Sequence, residues 1–146
     1  MTIPYVDLPS QHRGLRTGLV AALERVIDHG QFILGPEVAQ LEKRLCERLG
    51  VPHVVSVANG TDALVLALRL RGVGAGDEVI TVSHSFVATA AAIRLVGATP
   101  VFVDIDEESM LMNPSLLEGA LSPRTRAVLP VHLNGFVCDM GPIARF

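Results

Sequence analysis

Apolar residues recur along this chain with two periods, and the change from one to the other divides it. Leu15, Leu19, Val20, Leu23, Val26 and Ile27 fall on one helical stripe, as do Val38, Leu41, Leu45 and Leu49. Pro36 just inside the start and Gly50 just past the end frame the second helix. Between the two stripes, "HGQFILGPEV" reads as a glycine-bracketed connector. Further on, short β-branched runs alternate with helices of about ten residues. The expected strands are "HVVSV", "EVITV", "PVFVDID" and "RAVLPVHL". The expected helices are Thr61 to Arg71, "FVATAAAIRLVG", and Asn113 to Leu121, the last capped by Asn113 with Pro114 at its first position. Strands joined through helices predict βαβ units, a mostly parallel sheet flanked by helices, and an α/β fold. Residues 1–50 are expected to form an N-terminal helical segment and residues 51–146 the α/β domain. "GFVCDMGPIARF" carries Pro142 as a further helix start four residues before the last residue. A layer ending there leaves apolar surface uncovered, so the chain is expected to be the first part of something longer.

Composition narrows the class. Hydrophobic residues make up 49% and charged residues 18% of the chain, which excludes disorder. A net charge of -3 without a basic stripe gives no footprint for nucleic acid. No apolar run approaches the roughly 20 residues of a membrane span. "MTIPYVDLPS" lacks the basic and apolar regions of a secretion signal. Cys46 and Cys138 read as reduced thiols of a cytoplasmic protein. The five histidines and two cysteines form no H-x-x-x-H or C-x-x-C cluster, so no metal site is expected.

The candidate chemistry gathers where strands give way to helices. In "SVANGTDALVLALRLRG" an apolar run meets Asn59-Gly60-Thr61-Asp62 and an amphipathic segment follows. Gly60 permits close backbone approach, Thr61 offers a hydroxyl, and the N–H groups of a helix start point outward with its positive dipole end. That suits a phosphate; the same residues also suit an ordinary turn in which Asn59 or Thr61 only caps the helix. "GVGAGD" is not a dinucleotide fingerprint, because a helix precedes it and a strand follows. In "TVSHSFVATA", Phe86 reads by spacing as a core residue, the alternative being an aromatic lying over a planar ligand. Asp104 and Asp106 end a strand, where solvation or capping is the expected role rather than acid–base work. No P-loop and no nucleophile elbow is present.

Several segments together resemble the N-terminal part of the DegT/StrS family of pyridoxal-phosphate-dependent sugar aminotransferases, of PLP fold type I. They are "GQFILGPEVAQLEKRLCERLGV", "VANGTDALVLALRLRGVGAGDEVITVSHSFVATAAAI", "GATPVFVDID" and "SPRTRAVLPVHLNG", which cover nearly the whole chain from Gly30 in family order. The resemblance implies that Gly60, Thr61 and Asp62 bind the phosphate of pyridoxal 5'-phosphate and that Phe86 stacks on its ring. It implies an incomplete large domain in residues 51–146, a homodimer, and transfer of an amino group from glutamate or glutamine to a nucleotide-linked keto sugar. Gly30 to Gly35 matches a segment near the active site and the subunit boundary. His132 and Asn134 match a strand end close to it; the family generally carries an aromatic where Asn134 stands, so Asn134 receives no role.

The resemblance also implies a Schiff-base lysine and an aspartate paired with the pyridinium nitrogen. Both come later in the family's chain than the residues present here. Lys43 is the sole lysine among 12 basic residues and lies between Glu42 and Arg44 in the N-terminal helix pattern, where a surface role is expected. No catalytic residue is therefore assigned, and the chain alone is expected to be inactive and, with "HVVSV" short of its late-sequence neighbours, prone to aggregate. A non-catalytic regulatory or dimerisation module of the same fold is the alternative.

Overall fold

Proline and glycine punctuate the helices where the sequence places them. The computed structural model describes residues 3–146. They divide into two compact units, Met1–Ser56 and Val57–Phe146.

The first unit holds α1 (Leu8–His12), α2 (Arg16–His29) and α3 (Pro36–Leu49). Asp7 caps α1, its carboxylate accepting from the Ser10 N–H at 3.0 Å and the Ser10 hydroxyl at 2.6 Å. Gly30 and Gly50 close α2 and α3 in left-handed conformations, with φ of 69° and 65°. None of the three helices contains a buried residue. Leu19, Leu23 and Leu41, on the expected stripes, are all more than half exposed.

One expected strand does not form. "HVVSV" has no regular secondary structure and no ladder partner, and Val55 is 78% exposed. A strand exists only when a neighbour takes its N–H and C=O groups. β-branched residues are necessary for such a run but do not supply that neighbour. The one hydrogen bond here goes to a side chain, from the Ser56 N–H to the Glu42 carboxylate at 2.7 Å.

The second unit is a three-stranded parallel sheet in the order β2-β1-β3, with helices on both faces. Its elements are α4 (Gly60–Leu70), β1 (Glu78–Val82), α5 (Val87–Leu95), β2 (Thr99–Val103), α6 (Leu117–Ala120), β3 (Thr125–Val128) and α7 (Met140–Ala144). All five residues of the central β1 are buried. Strand alternation sends Ile80 and Val82 to one face, among Val103, Leu117, Cys138 and Ile143, and Val79 to the other, among Leu68, Ala92 and Ile93. Thr81 is fully buried and donates its hydroxyl to the Leu129 carbonyl at 2.8 Å. "PVFVDID" is a strand only to Val103, followed by an isolated antiparallel bridge between Ile105 and Met112. Asn113 caps the turn before α6, as its sequence position predicts, and Asp139 caps α7.

Glu78 opens β1 with a 10% exposed side chain and three donors around it. The Ser122 hydroxyl donates at 2.5 Å and Arg124 Nε at 2.9 Å, with a second guanidinium contact from the same arginine. These bonds, Ser122 first and then Arg124, hold the Glu78 carboxyl below its ordinary value of 4.5. A depressed folded-state value contributes stability above about pH 4.5, and that contribution is lost as acid protonates the group. Asp7 and Asp106 are shifted the same way by their turn hydrogen bonds. Urea midpoints are therefore expected to fall as the pH drops below this value, and less steeply in Glu78→Gln. Equal slopes in the two proteins would contradict the assignment to Glu78.

Candidate functional site

The site begins with the geometry of a helix start. Asn59, extended at φ -165°, turns its side chain back over α4. Its Oδ1 accepts from the Asp62 N–H at 2.9 Å, and its Nδ2 donates to the Asp62 carboxylate at 3.0 Å. Asn59 thus caps the helix, as the plainer sequence reading allows. The cap uses only the Asp62 N–H, and the Ala63 N–H returns to the Asn59 carbonyl at 3.1 Å. The N–H groups of Gly60 and Thr61 and the Thr61 hydroxyl have no hydrogen-bond partner among the described residues.

Gly60 is explained by nothing in the chain's own packing. It avoids the left-handed region, and a Cβ built on it meets no atom within 4 Å. Glycine at the start of a helix costs conformational entropy that alanine would save. Open space, two unpartnered N–H groups, a hydroxyl and the positive dipole end are the features that an anion cup requires. Asp62 belongs to it as the residue whose side chain and N–H lock the cap, not as a free N–H donor.

Phe86 is the second component. The core position that spacing suggests is not where it lies: it is 75% exposed and occupies the N-cap position of α5, with φ -76° and ψ 147°. A residue at a helix N-cap stands outside the apolar stripe that begins one turn later, which is why spacing misplaces it. Beneath it the Ser85 and Thr89 hydroxyls bond each other at 2.7 Å, and Thr89 is buried. Sequence reasoning passed over this pair; its signal is a hydroxyl four residues from another across a helix start.

The topology brings cup and aromatic to one edge. α5 leaves the carboxyl end of β1, whereas α4 returns to the amino end of β1 through Gly72–Asp77. Leu64, Leu68 and Arg71 of α4 line one cavity with Arg126, Ala127 and Val128 of β3, so the helix lies along the sheet. α4 therefore runs antiparallel to the strands, and the starts of α4 and α5 face the carboxyl edge of the sheet. Open parallel sheets bind their ligands at that edge.

The remaining candidates are engaged in local hydrogen bonds or turns. Asp106 Oδ1 accepts from the N–H groups of Glu108 and Ser109, at 3.2 and 2.9 Å, and Asp104 Oδ1 from that of Ile105 at 2.8 Å, so both carboxylates cap turns. His132 Nδ1 accepts from the Cys138 N–H at 3.1 Å, and Asn134 is left-handed at φ 53°. No group of three metal-ligating side chains occurs among the described residues. No helix among them is long and apolar enough to cross a membrane.

The comparisons with known proteins decide the family. The DegT/DnrJ/EryC1/StrS aminotransferase family matches residues 15–146. The chain belongs to that family. It is 47% identical over 141 residues to the UDP-2-acetamido-2-deoxy-3-oxo-D-glucuronate aminotransferase of Pseudomonas aeruginosa, covering 97% of this chain and 39% of that enzyme. A DegT/DnrJ/EryC1/StrS aminotransferase from Brucella abortus superposes with a TM-score of 0.92 at 43% identity, over 99% of this chain and 40% of its own. DesV of S. venezuelae, in complex with a ketimine intermediate, superposes at 0.92 and 43% identity, over 98% and 38%. The chain thus spans about two fifths of the curated relative's length. As a DegT/DnrJ/EryC1/StrS family member it has the parallel sheet and flanking helices of PLP fold type I in part.

Proposed function

We propose that this chain supplies the phosphate cup and the ring-facing aromatic of a pyridoxal-phosphate-dependent aminotransferase. The intact enzyme would move an amino group from glutamate or glutamine onto a nucleotide-linked keto sugar, working as a homodimer. The observation that carries this reading is the start of α4. There two N–H groups and a hydroxyl lack partners beside a glycine with open space, on the same sheet edge as an exposed Phe86. The P. aeruginosa relative's nucleotide-sugar substrate supports the substrate class.

The chain's own residues have separable tasks in this scheme. Gly60 and Thr61 bind the phosphate by N–H and O–H donation, and Asn59 with Asp62 holds those donors in place. Phe86 covers one face of the ring, and the Ser85–Thr89 pair fixes the turn that carries it. Pyridoxal phosphate, when bound, supplies the electron sink for the carbon that gives or takes the amino group. Lys43 is exposed on α3. In this reading the lysine that bonds the cofactor belongs to a part of the intact enzyme other than these residues, and residues 1–146 alone are expected to convert no keto sugar.

The test compares pyridoxal 5'-phosphate with pyridoxal by equilibrium dialysis. The phosphorylated form is expected to bind more tightly, and Thr61→Val to remove about tenfold of that difference, as loss of a charge-assisted hydrogen bond would. Phe86→Ala is expected to weaken both forms alike. Equal affinity for the two forms, or turnover by the isolated chain, would count against the scheme.

A further inference from the structure

The connector from Gly30 to Gly35 is held shut by one imidazole. His29, the last residue of α2, accepts the Gln31 N–H on Nδ1 at 3.0 Å. Its Nε2 lies 3.2 and 3.3 Å from the two carboxylate oxygens of Glu37 at the start of α3. Because Nδ1 accepts a backbone proton, the ring is neutral with its own proton on Nε2, which donates to Glu37. Gln31 Nε2 closes the inner loop by donating to the Leu34 carbonyl at 3.1 Å. Gly35 permits the closure, since a Cβ there would stand 2.5 Å from the Gln31 carbonyl oxygen and 3.3 Å from a Glu37 carboxylate oxygen. The closed loop presents Phe32, Ile33 and Leu34 outward at 69, 82 and 77% exposure, with Leu34 left-handed at φ 51°.

We propose that His29 is an acid-sensitive clamp that sets the conformation of the 30–35 connector and of the apolar triplet it displays. A proton added at Nδ1 turns that atom from acceptor to donor and places it against the Gln31 N–H. The two donors cannot share the site, so Gln31 must turn away. Gly30, at φ 69° with no atom near its missing Cβ, is the hinge that absorbs the turn. The bond from Nε2 to Glu37 survives and becomes a full ion pair, so α2 and α3 stay tied while the loop between them re-forms.

The charged groups around the ring agree with this sequence of events. Glu37 faces it from α3, Asp28 precedes it on α2, and Arg25, one turn back on α2, directs its guanidinium to the Ala21 carbonyl at 3.1 Å. The Glu37 carboxyl lies below its ordinary range, first through its own backbone N–H and then through His29. The clamp operates whatever reaction the protein performs.

The experiment places 4-fluorophenylalanine at position 32 and follows its fluorine resonance between about pH 5 and 8, the range in which histidine changes charge. The wild-type signal is expected to move with a single-proton curve. His29→Asn keeps an acceptor near Nδ1 without a titrating ring, and its signal should stay at the high-pH position throughout. His29→Gln keeps a donor toward Glu37 but loses that acceptor, and its signal should sit at the acid position throughout. A stationary wild-type signal, the same titration in both variants, or a random-coil position at every pH would overturn the proposal.

Discussion

Replacing Gly60 by aspartate is expected to leave the fold intact while abolishing capture of pyridoxal 5'-phosphate. The backbone of Gly60 suits any residue, and a side chain there meets no atom of the protein within 4 Å. An aspartate in the first turn of α4 gains from the helix dipole and from lost unfolded-state freedom, about 0.5–1 kcal/mol in favour of the folded chain. The phosphate dianion meets a carboxylate in the same cup, and like charges at that distance cost several kcal/mol. Cofactor affinity should fall about a hundredfold or more while the urea midpoint holds or rises. Gly60→Ala separates bulk from charge and should lose far less. Retained affinity in Gly60→Asp would remove the cup from this turn.

The second large effect concerns stability. Ile80 is fully buried at the middle of the central strand and shares the larger core cluster with Val103, Leu117 and Ile143. Ile80→Ala should cost about 2–5 kcal/mol, the transfer term plus that of the cavity left behind. A unit of this size holds only about 5–10 kcal/mol in total, so the substitution brings it close to unfolding. Phe102→Ala removes a larger side chain from the neighbouring strand, but Phe102 is 52% exposed. Its cost should be under about 1 kcal/mol. Urea unfolding followed by circular dichroism compares the two, and equal losses would contradict a core centred on β1.

The contrast between those residues marks what can be read before any coordinates. Helices α2, α3, α4 and α5 follow from apolar stripes with proline and glycine at their ends, because a helix satisfies its backbone within itself. β1 and its two parallel neighbours follow from short β-branched runs spaced by helices. "HVVSV" has the same composition and remains unpaired, because pairing depends on distant residues that no local pattern reports. Asn59 at the cup was legible as a cap. The exposure of Phe86 was not, since an aromatic at a helix N-cap and one in a core look alike along the chain. The Glu78–Ser122–Arg124 bonds join residues 44 and 46 positions apart, and only the sheet brings them together.

The order β2-β1-β3 has a consequence for timing during synthesis. Every ladder bond of this sheet lies between residues 77 and 129. The central strand emerges from the ribosome first and each edge strand then docks beside a partner already present. At roughly 5–20 residues per second the sheet becomes complete within seconds of the emergence of β1. The unpaired run at residues 53–57 leaves the ribosome before any of these strands and gains no partner when they pair. It is the stretch that a nascent-chain chaperone would meet bare, and its waiting time is set by translation rather than by folding.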